Sequence, residues 1–156
     1  GRSEIGARSL GNRSILANPL MPDIKNKLNL EVKHREAWRP FCPSFTSESF
    51  EFYFGHNKPA DFMIIAYYIK KKFISLFPSA VHIDGSVRPQ SVKKETNPLF
   101  HSLIEEFGKL SGHPVLINTS FNVQGEPIVE TPRDALRCFG GTGIDVLVIG
   151  NYILEK

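Results

Sequence analysis

The residues best suited to chemistry in this chain are short polar side chains at the end of an apolar run, and cations scattered along the sequence. Val115, Leu116 and Ile117 give way at once to Asn118, Thr119, Ser120 and Asn122. Small donors and acceptors at the carboxyl end of a buried strand are what a ligand site in an open α/β sheet requires, because rigid β-structure holds them with little entropy left to lose. The same residue types favour hydrogen-bonded turns for local reasons, so this run by itself leaves a ligand-free turn open. Arg2, Arg8 and Arg13, punctuated by Gly6 and Gly11, would let the backbone approach a ligand while guanidinium forks reach its oxygens, although short Gly- and Arg-containing segments are also common in solvated loops. Lys33 and Arg39 form a second pair. Arg39 stands directly before Pro40, where the chain becomes extended, so the two can point at one place. Lys27 and Arg35 read as a solvated basic helix face.

The elements that must position these groups are legible in the spacing. Ile24, Leu28 and Val32, at i, i+4 and i+8, predict an amphipathic helix within residues 22–36. Phe50 to Phe54 and Met63 to Ile69 read as strands, the second continuous enough to be buried on both faces. Val81 to Val92 alternates apolar and polar residues around a hairpin or bulge signal at Asp84-Gly85, which sets Val87 and Arg88 on opposite faces. A helix over residues 98–110 is bracketed by Asn97, Pro98 and Gly112, with Leu99, Leu103, Ile104, Phe107 and Leu110 as its core face. Thr131, Pro132 and Asp134 open a last helix through a capping box, closed at Gly140-Gly141, and Asp145 to Ile149 forms a last buried strand. Alternating strands and helices without a repeat or linker give a single α/β domain on a twisted mixed sheet flanked by helices.

The totals exclude several classes. With 156 residues and 41% hydrophobic content, the chain is one folded domain, or one domain of a longer protein; its start at Gly1 without an initiator Met fits the second. Nineteen Lys and Arg against sixteen Asp and Glu, a net charge of +3, fall well short of the basic blocks of a nucleic-acid groove. No apolar run is long enough to span a bilayer and no secretory leader is visible. Cys42 and Cys138 are far apart and in no metal spacing, which points to a reducing cytoplasm and to small core residues. His82 and Asp84, two apart with no third ligand, make a poor metal site. Ser120 has no nucleophile-elbow sequence around it, which argues against a serine hydrolase.

Several stretches together resemble a known family. Gly1 to Leu16, the Val-Lys-x-Arg-Glu-x-x-Arg-Pro pattern of Val32 to Pro40, His82-Ile-Asp-Gly-Ser-Val-Arg88 and Asn118 to Val129 are similar, in the same order, to the carboxy-terminal domain of the NodU/CmcH-type O-carbamoyltransferases. The resemblance implies a YrdC-like fold that follows a Kae1-like domain absent from this chain. It implies that ATP, with Mg2+ as its companion, and carbamoyl phosphate form carbamoyl adenylate, whose carbamoyl group passes to a hydroxyl acceptor at the partner domain. Iron is expected only in that Kae1-like domain, and no metal in this one. By motif position the resemblance assigns ligand binding to Arg8, Lys33, Arg39, Arg88, Asn118 and Ser120, with Lys33, Arg39 and Arg88 as the catalytic cations. Ala7, Ser9 and Pro89 depart from the family pattern, and Pro89 removes a backbone donor beside Arg88. The competing expectation is a YrdC-like nucleotide- or RNA-binding module without transferase activity, which an extended basic face and steep salt dependence would mark.

Overall fold

The computed structural model describes residues 4, 6, 8–58 and 60–156; Arg2 and Ala7, singled out above, lie outside them. Its strands are β1 (Ser14–Ala17), β2 (Cys42–Thr46), β3 (Tyr67–Tyr68), β4 (Ser86–Val87), β5 (Gln90–Val92), β6 (Val115–Ser120), β7 (Val146–Ile149) and β8 (Tyr152–Glu155). Four of them form the main sheet in the order β1-β6-β2-β5, with β6 antiparallel to both neighbours and β2 parallel to β5. The sheet is mixed, as expected. β3 pairs with β4 and β7 with β8 in two separate ribbons.

Helix α1 starts at Ile24–Asn26 and widens into a π-helix at Lys27–Val32. Ile24, Leu28 and Val32 are all buried, as their spacing requires. Together with Ile117 of β6 and Phe139 of α4 (Pro132–Gly140), they form one core cluster. The capping box of α4 is present, with Asp134 accepting from the Thr131 backbone and the Asp134 backbone donating to Thr131 Oγ1.

Four expectations are corrected. Phe50–Phe54 is a helix, α2, rather than a strand. Phe50, Tyr53 and Phe54 are buried at helical spacing, and the Phe50 and Phe54 rings stack at 4.3 Å, so packing around Phe45 overrides the strand preference of aromatic residues. Met63 to Ile69 is not a continuous buried strand. Met63 takes a left-handed φ of 55° that turns the chain, Ile64 and Ile65 are exposed, and only Tyr67–Tyr68 pairs. The long helix α3 (Pro98–Ser111) keeps its expected caps, with Asn97 accepting from Phe100 and Gly112 at φ 78°. Its buried face, however, is Phe100, His101 and Ile104, while Leu99, Leu103 and Leu110 are exposed and Phe107 is only half-buried. His101 is buried because Glu48 takes its Nε2 at 2.8 Å, and the Phe100 ring fills the space beside Gly11, where an added Cβ would lie 2.2 Å from it. Finally, β7 buries Leu147 but exposes Val146 and Val148, because it belongs to a two-stranded ribbon instead of the main sheet.

Pro89 falls in the gap between β4, which pairs with β3, and β5, which pairs with β2, so its missing N–H removes no ladder bond. The break also lets Val87 join the aromatic cluster while Arg88 stays half-exposed on the other side. No helix among the described residues is long and apolar enough to cross a membrane.

Candidate functional site

The carboxyl end of β6 meets the opening loop, the segment after α1 and the β4–β5 break at a small cavity of about 130 Å³. Arg8, Arg35, Arg88, Cys42, Asn118 and Ser120 line it, with Phe41 and Met63 as apolar walls. A larger cavity of about 210 Å³ lies between α1 and β7, but its walls are mostly aliphatic and the charged groups that line it, Lys27 and Asp145, already pair with each other. Convergent charge, not volume, identifies the smaller one as the candidate site.

Three arginines and one cysteine share this cavity wall. Burial pushes the Cys42 thiol up, while the positive fields of Arg88, Arg8 and Arg35, in that order, draw it back. Cys42 is thus half-buried at the cavity wall and not the core residue that composition indicates. Arg35 is the cation the sequence hid. It is not solvated: its Nε donates to Asn29 Oδ1 at 2.7 Å and its guanidinium stacks over Phe41 at 4.7 Å. Asn29 is fully buried in the widened turn of α1, and its Nδ2 donates to the carbonyls of Ala37 and Arg39, so it also pins the segment after the helix. His34, at φ 50°, reverses the chain between Lys33 and Arg35 and sends these two side chains to different places. The signal that could have found Arg35 is its position in the Val32 to Pro40 pattern, two residues from Lys33.

Lys33 is only 4% exposed and does not line the cavity. Its Nζ lies under β6, donating to Asn122 Oδ1 at 2.7 Å, Asn122 O at 2.9 Å, Ser120 Oγ at 3.2 Å and the Ser120 carbonyl. Four oxygens, and among the described residues no carboxylate, surround this amine. Burial, aided by the nearby Arg35, pushes it down to about 7. The arrangement holds the Ser120–Asn122 turn in shape from behind. Arg39 is not brought in either: it is exposed, pairs with Glu36 at 3.2 Å and leans over Trp38. Arg13 turns to the Glu130 carbonyl at 3.3 Å. Of the six residues assigned from the resemblance, four, namely Arg8, Arg88, Asn118 and Ser120, share the cavity.

The opening loop is braced by Glu4, which the sequence reading passed over. Its carboxylate accepts from the backbone N–H groups of Leu10, Asn12 and Arg13, from Asn12 Nδ2 and from Ser9 Oγ. Ser9, a departure from the family pattern, is thereby given a partner in its buried position. Burial opposes the Glu4 charge, but the hydrogen bonds from Ser9, Arg13, Leu10 and Asn12 outweigh it and hold the carboxyl below its ordinary 4.5. A folded-state value below the unfolded one means that the stabilisation is present above 4.5 and fades as pH falls through the folded value. Glu4→Gln is therefore expected to cost about 1–2 kcal/mol at neutral pH, allowing for its partial exposure, and progressively less in acid. Urea unfolding of both forms at neutral and acid pH measures this difference, and a pH-independent gap would remove the carboxylate from that role.

Among the described residues no three His, Cys, Asp or Glu gather as metal ligands. This is a mixed α/β domain in which three arginines line one cavity together with neutral amide and hydroxyl groups, a combination with the chemistry to meet a small anion that carries a polar, uncharged end. A family model described as carbamoyltransferase C-terminus matches residues 1–156, and the chain belongs to that family. It is 43% identical over 156 residues to an uncharacterised protein of Methanocaldococcus jannaschii, covering all of this chain and 26% of that protein. Nodulation protein NolO of Bradyrhizobium diazoefficiens is 41% identical over 160 residues, with 29% of its length covered. Nodulation protein NolNO of Sinorhizobium fredii is 40% identical over 159 residues, with 23% covered. In both, all of the present chain is matched. The chain thus spans less than a third of the length of these curated relatives.

Proposed function

We propose that this domain binds carbamoyl phosphate and ATP and forms carbamoyl adenylate, which a Kae1-like domain of the same polypeptide uses to carbamoylate a hydroxyl group. The observation that carries the reading is the cavity itself, which Arg8, Arg35 and Arg88 line together with the buried Asn118. Cations suppress the repulsion between two polyanionic substrates and stabilise charge developing on phosphorus. A neutral amide and hydroxyl suit the carbamoyl end.

Atoms balance if carbamoyl phosphate and one water give carbamate and inorganic phosphate. A carbamate oxygen then attacks the α-phosphorus of ATP as the bond to pyrophosphate breaks. The cavity is smaller than the roughly 300–1,000 Å³ that drug-sized ligands occupy, so it takes the acyl end while the nucleoside lies outside it. Among the described residues no carboxylate lines the cavity, and in this reading Mg2+ travels with the nucleotide phosphates.

Calorimetric titration of ATP, with and without carbamoyl phosphate, tests the reading. Arg88→Ala and Arg35→Ala are each expected to weaken binding by about 1.5–3 kcal/mol, the range for a hydrogen bond to a charged group, whereas Arg39→Ala should stay near wild type. Salt-sensitive RNA binding with no response to carbamoyl phosphate would replace this reading with the nucleic-acid module.

A further inference from the structure

Behind the cavity lies a buried hydrogen-bond chain that leaves one acceptor unused. Gln90 of β5 and Ser44 of β2 are in register on adjacent strands, and Asn118 of β6 reaches both. All three are nine-tenths or more buried. Gln90 Nε2 donates to the Leu10 carbonyl at 3.1 Å. A carbonyl only accepts, so this contact fixes which end of the Gln90 amide is NH2 and which is oxygen. Gln90 Oε1 then accepts from Ser44 Oγ at 2.7 Å and from Asn118 Nδ2 at 3.0 Å, and Asn118 Nδ2 also reaches Ser44 Oγ at 3.2 Å. Turning the Asn118 amide over would set its oxygen against Gln90 Oε1, acceptor against acceptor. Every polar atom of the three side chains is therefore engaged except Asn118 Oδ1, which is buried and has no donor among the described residues. An orphaned acceptor of this kind costs free energy that a ligand N–H recovers.

We propose that Gln90, seconded by Ser44, is a positioning residue that locks the Asn118 amide with its oxygen toward the ligand, so that the cavity selects an acyl group presenting N–H over one presenting methyl or oxygen at the same place. Gln90 touches no ligand in this scheme; it acts through Asn118. The guanidiniums bind the phosphoryl end of any acyl phosphate alike, and discrimination at the other end comes from the lock. A site built around a hydrogen bond rejects an isostere lacking that group because its own buried polar atom is then left unpaired. The lock also ties selectivity to the opening loop, since the anchor of the whole chain is the backbone of Leu10, two residues from Arg8.

This proposal rests on the reading that the cavity takes carbamoyl phosphate, and the test separates the two. Dissociation constants of carbamoyl phosphate and of acetyl phosphate, which replaces NH2 by CH3 at equal charge, are measured on the full chain. Wild type is expected to prefer carbamoyl phosphate by about tenfold or more. Gln90→Met, close in shape and without the amide, should bring that ratio toward one while leaving affinity for inorganic phosphate within about twofold. Ser44→Ala should lower the ratio in the same direction by a smaller factor, and it carries the test if Gln90→Met does not fold. An unchanged ratio in the folded variants, or parallel loss of acetyl phosphate, carbamoyl phosphate and inorganic phosphate, overturns the proposal as a purely structural role. Equal binding of both acyl phosphates by wild type overturns it while the functional reading stands. Wild type that binds neither removes both.

Discussion

Phe45→Ala is expected to lower the unfolding free energy by about 3–5 kcal/mol, the largest stability loss from any single truncation in this domain. The ring is fully buried and ringed by Tyr53 at 4.9 Å, Phe54 at 5.3 Å and Phe50 and Phe77 at 6.2 Å, three of the four in edge-on contact and one tilted. Removing it deletes both the buried area and the centre that these edges pack against, and close-packed neighbours relax only in part. For a chain of this length that corresponds to a drop in melting temperature of roughly ten degrees. Leu110→Ala on the exposed face of α3 is the control and should change stability by less than about 0.5 kcal/mol. Thermal and urea unfolding measure both. A Phe45→Ala loss below about 1 kcal/mol would mean that the aromatic cluster is not the core it looks like.

Lys33→Met is the second large effect, and its signature is its pH dependence. Methionine keeps most of the stem volume but leaves the carbonyls of Ser120 and Asn122 and Asn122 Oδ1 without the amine. Unpaired buried acceptors cost about 1–3 kcal/mol. The amine itself is disfavoured in its charged form by burial first and by Arg35 second, which lowers it from 10.5 to about 7. Between those values the unfolded chain binds more protons than the folded one, so wild-type stability rises with pH across the window from 7 to 10.5. The advantage of wild type over Lys33→Met should therefore grow as pH is raised from 7 toward 10.5. A difference that stays flat over this range would show that the surrounding oxygens hold the ammonium as well as water does. Because Ser120 is set in place from below by this amine, the proposed function further predicts weaker carbamoyl phosphate binding by the variant even where it is fully folded.

How much of this was legible in the sequence depended on whether the signal was local. The caps of α3 and α4 were readable because Asn97, Thr131, Pro132 and Asp134 act on backbone groups within a few residues. The burial of Ile24, Leu28 and Val32 followed from one uninterrupted helical period. Phe50–Phe54 was misread because five residues are too few to separate the two periods, and what decides the matter is Phe45, which lies outside the segment. The face of α3 was displaced for a similar reason. Five apolar positions pointed one way, yet the ring of Phe100 had a place waiting beside Gly11, ninety residues earlier.

The same division runs through the candidate site. Arg8, Arg88, Asn118 and Ser120 sit in recognisable motifs and converge on the cavity. Arg35 reads as solvated in the sequence because nothing in its immediate neighbours betrays the hydrogen bond to Asn29 that turns it inward. Lys33 takes its ligand-binding assignment from its motif position, whereas its burial under Ser120 and Asn122 is a long-range fact of the fold that no motif displays. Gln90 carried no signal whatever, since its role depends on a carbonyl eighty residues away.

One feature of β6 reaches beyond its side-chain chemistry. Its first three residues each belong to a different apolar cluster: Val115 to the aromatic one, Leu116 to the one under α3, and Ile117 to the one between α1 and α4. A single strand is thus the common member of three otherwise separate cores, and the next residues along it, Asn118 and Ser120, are part of the cavity wall. Disorder that begins in any cluster is transmitted to the strand all three share. The domain is in this sense wired in series, and the groups of the cavity wall keep their geometry only while every part of the interior keeps its own.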